Sequence, residues 1–94
     1  MKHSGTVKIE KQVNIRFNEN INWNELIDDF NKYMFEADMG DIIRFCMARI
    51  GAGDYKFIDG IGPIEFSYDL NNVMPKDTVL FYNFDDVNIK AELN

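Results

Sequence analysis

Residues 21–51 read INWNELIDDFNKYMFEADMGDIIRFCMARIG. Trp23, Leu26, Ile27, Phe30, Tyr33 or Met34, and Ala37 recur at the three-and-four spacing that lines one face of a helix. Asn22, with Glu25 three residues on, has the form of a capping box, and Ile21 and Leu26 are placed to staple that first turn. Gly40 is costly inside a helix, so a joint is expected near Asp38–Gly40. Beyond it Ile42, Ile43, Phe45, Cys46, Met47 and Ile50 predict a second helix that is apolar nearly all round and therefore the buried one, ended by Gly51 as a left-handed cap. Two helices in direct succession break the strand–helix–strand alternation of a parallel sheet. That succession decides the fold class.

Working outward, Val7, Ile9, Val13, Ile15 and Phe17 occupy odd positions between Lys8, Glu10, Gln12, Asn14 and Arg16. This alternation predicts one half-buried strand over Thr6–Phe17, with a bulge or bend near Lys11, where the pattern wants an apolar residue. Downstream, Tyr55–Ile58 and Ile64–Tyr68 flank the turn Asp59–Pro63, and Asn71–Asp77 reads as a loop. Thr78–Phe84 and Val87–Leu93 supply two more strands around Asp85-Asp86, with Val87, Ile89, Ala91 and Leu93 in strict alternation. The expected fold is α+β over one domain, 1–94. Its mainly antiparallel sheet carries the two consecutive helices on one face, in the order β-α-α-β-β-β-β.

The chain has 94 residues, 46% of them hydrophobic and 14% aromatic, enough for a packed core. Cys46 is the only cysteine, so neither an internal disulfide nor a thiolate metal cluster can form. The segment after Met1 lacks the pattern of a signal peptide, and no apolar run reaches the roughly 20 residues that span a bilayer.

Few groups offer catalytic chemistry. His3 is the sole histidine and lies near the N-terminus, where a general base is poorly held. Cys46 sits among Ile43, Phe45 and Met47 with no second histidine to activate it, and reads as a small buried hydrophobe. Gly51–Gly53 and Gly60–Gly62 lack the Lys-Ser/Thr of a phosphate loop and open no helix. Asp85 with Asp86, or Asp38 with Asp41, are oxygen donors without EF-hand spacing. The expectation is a binding protein, not an enzyme, with no cofactor and no metal.

Charge is the informative feature. The net charge is −6, but residues 1–16 carry Lys2, Lys8, Lys11 and Arg16 against Glu10, giving +3. Residues 17–43 carry Glu19, Glu25, Asp28, Asp29, Glu36, Asp38 and Asp41 against Lys32, giving −6. Those seven acids are the candidate partner-binding residues. A solvated face normally mixes signs, and only Asp28 has a local base, Lys32, at i+4. Carboxylates in such a row present the potential of a nucleic acid strand and attract a basic groove. The balance argues against direct contact with nucleic acid or an anionic membrane surface.

The chain closes Val87-Asn88-Ile89-Lys90-Ala91-Glu92-Leu93-Asn94. This ending resembles the closing strand of small type II-A anti-CRISPR proteins of phages, which end Leu-Lys-Ser-Glu-Leu-Asn or -Lys; the match is confined to about the last six residues. The resemblance implies a cofactor-free phage protein in the bacterial host cytoplasm. It further implies a host–virus interaction in which the protein inhibits Cas9 with its guide RNA by DNA mimicry. Cas9 reads its PAM with arginines in a basic groove. Two other readings stand beside it: an immunity or antitoxin-like interaction module, and a protein that sequesters a small molecule in a pocket between helices and sheet.

Overall fold

Asn22 leaves the helical region at φ −85, ψ 99, and its side-chain oxygen accepts from the Glu25 backbone N–H at 3.2 Å, which starts α1 (Trp23–Tyr33). The structure, a computed structural model, describes residues 1–85 and 88–94. The helix ends at Met34, whose N–H donates to the Phe30 carbonyl. The following loop is held by the Asn31 side chain, which accepts from the Ala37 N–H at 2.7 Å.

Asp38 then opens α2 (Met39–Gly51) with a complete capping box. Its carboxylate accepts from the Asp41 N–H at 2.8 Å, and the Asp41 carboxylate accepts from the Asp38 N–H at 3.1 Å. The joint therefore lies at 34–38 and is made by the cap, while Gly40 sits inside the first turn of α2. The far end corrects a second expectation. Gly51 is the last helical residue, and Ala52 stays right-handed at φ −83. Gly53 takes the left-handed position at φ +111, donating to Ile50 while Asp54 donates to Arg49, the paired bonds of a Schellman motif. Nor is α2 buried all round: Ile42, Cys46 and Ile50 form one fully buried stripe, and Met39 and Met47 face out.

The strand predicted over Thr6–Phe17 divides at Lys11-Gln12 into β1 (Gly5–Glu10) and β2 (Val13–Phe17), which belong to different sheets. β3 (Phe57–Ile58) and β4 (Gly62–Phe66) form the expected hairpin; β5 (Leu80–Phe84) and β6 (Asn88–Leu93) follow. The observed order is β-β-α-α-β-β-β-β, still α+β and mostly antiparallel. The main sheet runs β2-β5-β4-β3, with β4 and β5 parallel. Asp86 and Val87, between and at the start of the last two expected runs, lie outside the described residues.

The core lies between helices and main sheet. Phe30, Ile42, Cys46 and Ile50 meet Ile58, Ile64, Leu80 and Tyr82. Tyr82 is buried, and its hydroxyl is satisfied by donating to the Tyr55 carbonyl at 2.8 Å. On the opposite face of β5, Phe81 is covered by the Arg16 guanidinium, 5.7 Å from the ring centre.

β1 and β6 form a separate two-stranded antiparallel ribbon. Every residue of β1 is exposed, so the half-buried reading fails for this part of the chain. The Cα radius of gyration is 16.6 Å and the extents are 57 × 31 × 19 Å. A compact chain of this length has a radius near 12 Å.

A candidate partner-binding face on the first helix

At 100° per residue, Glu25, Asp28 and Asp29 fall on one side of α1 and Trp23, Leu26, Ile27 and Phe30 on the other. Phe30 is fully buried, while Trp23, Leu26 and Ile27 pack partly buried against the core. The acids are left exposed on the outer face. Glu19 is exposed in the turn before the helix and Glu36 in the loop after it. The ion pairs among the described residues are Lys8–Glu10, Arg44–Asp41 and Arg49–Asp54, so none of these five acids is paired there. The expected Asp28–Lys32 pair is absent; the Lys32 ammonium instead lies 5.4 Å from the Tyr33 ring centre.

The other two nominated acids do different work. Asp38 and Asp41 form the capping box of α2, and Asp41, expected to lack a local base, is bonded at 2.6 Å to Arg44, which lies three residues on and hence on the same helix face. The Arg44 hydrogen bond, then the Asp38 N–H, hold the Asp41 carboxyl below its ordinary value of 3.8. Because the folded value is the lower one, this contribution to stability is present above pH 3.8 and is lost as pH falls through the folded value. Asp41→Asn is thus expected to lower the urea midpoint at neutral pH, with the gap to wild type closing in acid. Asp38→Ala, which removes the cap, is expected to cost about 1 kcal/mol.

Beside the acidic face lies a shallow groove of about 220 Å³ lined by Ile21, Asn22, Glu25, Leu26, Asp29 and Val79. It combines apolar walls with two carboxylates, the environment that accepts the stem and charged head of an arginine or lysine. Its apolar walls were not legible from charge, because Val79 comes from the segment just before β5, over fifty residues along the chain. A second, polar basin of about 310 Å³ lies between the β2–α1 turn and the crossover before β5, with Arg16, Asn18, Asn20 and Asn72 among its walls. The Arg16 guanidinium donates there to the Asn72 carbonyl at 3.2 Å.

Comparison with protein-family models, curated proteins and solved structures returns no match. The site is therefore read from its own chemistry. Cys46 is fully buried, and desolvation pushes its thiol up to about 12, so at neutral pH it stays protonated. His3 is exposed ahead of β1. Among the described residues no group of three or more His, Cys, Asp or Glu side chains is placed to hold a metal ion, and no helix is long and apolar enough to cross a membrane.

Proposed function

We propose that this chain is an acidic binding protein that inhibits a nucleic-acid-binding bacterial defence effector, Cas9 with its guide RNA being the foremost target. It acts by occupancy rather than catalysis: the α1 face enters the basic groove that otherwise receives target DNA. The observation that carries this reading is the acidic face of α1, unpaired among the described residues and bordered by the Ile21–Leu26–Val79 groove. Glu25 to Asp29 spans about 6 Å of helix axis, so three carboxylates there approach within a factor of two the charge density of duplex DNA, about one per 1.7 Å. The groove adds a neutral contact that a phosphate backbone lacks, which favours a protein partner with arginine or lysine over a free cation. The closing residues 89–94, which resemble those of type II-A anti-CRISPR proteins, point to the same target and to the bacterial host cytoplasm.

The test is competition. Cas9–guide complex incubated with the purified protein should lose its gel shift with labelled target DNA. That inhibition should weaken steeply as salt rises, since exposed charges are screened beyond about 8 Å at physiological ionic strength. An unchanged shift with protein in excess removes Cas9 as the target. Inhibition insensitive to salt removes DNA mimicry. Two other roles remain as alternatives: an immunity or antitoxin-like partner of another basic effector, or a small-molecule-sequestering protein. A nuclease panel and calorimetry against nucleotides separate these from the main reading.

A further inference from the structure

Among the described residues, nothing packs on the apolar side of the β1–β6 ribbon. Its register places Gly5 opposite Leu93, Val7 opposite Ala91 and Ile9 opposite Ile89 on one face, with Thr6, Lys8, Lys90 and Glu92 on the other. Val7, Ile9, Ile89 and Leu93 are 61%, 56%, 65% and 79% exposed. Together they leave about 500 Å² of apolar surface in one patch, at the upper end of the largest patches that soluble monomers carry, which are often functional.

The registers explain how this face arises. Val13 pairs with Phe84, but Glu10 pairs with Asn88, so the ladder slips by one residue between main sheet and ribbon. A slip of one moves the odd residues of β6 onto the side that the even residues of β5 hold. The apolar face therefore continues the helix-bearing face of the main sheet. A groove of about 600 Å³ lined by Ile9, Lys11, Val13, Met47, Ala48 and Gly51 joins the two. An isolated two-stranded ribbon is at best marginally stable in water, so this one needs a cover.

We infer that the cover is a second copy of this chain, with two ribbons packed apolar face to apolar face about a two-fold axis. Three observations select that occupant. The first is area: two patches of about 500 Å², with the adjoining Met47 surface, come to just over about 1,000 Å², the least that a specific interface buries. The second is shape. Large and small residues face each other across the ribbon, and a shallow groove of about 340 Å³ is lined there by Gly5, Thr6, Val7, Ala91, Glu92 and Leu93. Leu93 of one copy has a hollow at Gly5 and Ala91 of the other to fill. The third is charge. The ribbon is neutral, Lys8 and Lys90 balancing Glu10 and Glu92, so two ribbons meet without net repulsion although the chain carries −6. The α1 acids lie on the other body of the molecule and remain free, so this interface is separate from the one proposed for the effector.

Light scattering after size exclusion at roughly 100 μM, well above a micromolar dissociation constant, should give twice the chain mass of 11.0 kDa. Ile9→Lys with Ile89→Lys should return the monomer mass while circular dichroism stays native, because both residues lie outside the core. Lys8→Thr with Lys90→Thr, on the opposite face, should leave the dimer intact. A wild-type monomer at that concentration overturns the inference, as does a dimer that survives the isoleucine pair or is lost with the lysine pair. Amide exchange decides the case in which the isoleucine variant unfolds. Ribbon protection in the wild type that falls on dilution supports the dimer, and protection independent of concentration overturns it.

Discussion

Phe30→Ala is expected to destabilise the fold by about 3–5 kcal/mol, the range for removing a fully buried phenylalanine. Phe30 is 0% exposed and stands where both helices and the β3–β4 turn converge. Its ring meets Phe35 edge-on at 4.9 Å and Phe45 at 5.2 Å. On the turn side, a Cβ built on Gly60 would lie 3.5 Å from the Phe30 ring and 2.8 Å from Met34 Cγ, at a backbone φ of +86. Truncation therefore opens a cavity against a glycine held in a left-handed turn and beside two rings that lose their edge-on partner. Proteins of this kind carry a total stability of about 5–15 kcal/mol, so the loss should lower the melting temperature by roughly 15 °C or more. Trp23, 4.8 Å from Phe17, is the single tryptophan and reports a urea melt directly. Tyr33→Ala, at a side chain 72% exposed, should change stability by less than about 0.5 kcal/mol. Equal effects from the two substitutions would contradict this placement of the core.

Reversing Asp28, Asp29 and Glu36 to lysine is expected to weaken effector binding by about a thousandfold or more, near 4 kcal/mol. The three positions are exposed and unpaired among the described residues, so the folded chain loses no ion pair when they change. Its own stability should shift little, and circular dichroism and the melt confirm that. In a basic groove each reversal replaces an attraction by a like-charge contact, and such contacts cost several kcal/mol when desolvated. Reversing Asp38 and Asp41 instead should act mainly on stability, through the α2 cap and the Arg44 bond. The two triads of measurement, binding, melt and salt dependence, therefore separate contact acids from structural ones. Full inhibition by the folded triple variant would sink the proposed α1 docking face.

The acidic stretch looks uniform in sequence and is not uniform in space. Charge counting nominated seven acids together. It cannot tell a carboxylate aimed at solvent from one bonded to a backbone N–H, since both are simply Asp or Glu. Asp38 and Asp41 did carry a local signal, an acid three residues from an acid just before an apolar run, which has the spacing of a capping box. The Ile21–Leu26–Val79 groove had no comparable signal, because its walls meet only when the segment leading into β5 returns beside the start of α1.

The helices, the cap at Asn22, the β3–β4 hairpin and the α+β class were determined by the sequence itself. Each rests on residues within a few positions of one another, where spacing and local hydrogen bonding leave little choice. The tertiary structure decided what depends on partners far along the chain. It set which face of α2 is buried, that β4 and β5 run parallel, and that the alternating strand over Thr6–Phe17 serves two sheets. Alternation in β1 and β6 states that one face of each is apolar; it does not state what covers that face. Here the one-residue slip between ladders carries the apolar stripe past the end of the core, leaving Val7, Ile9, Ile89 and Leu93 in solvent within a single chain.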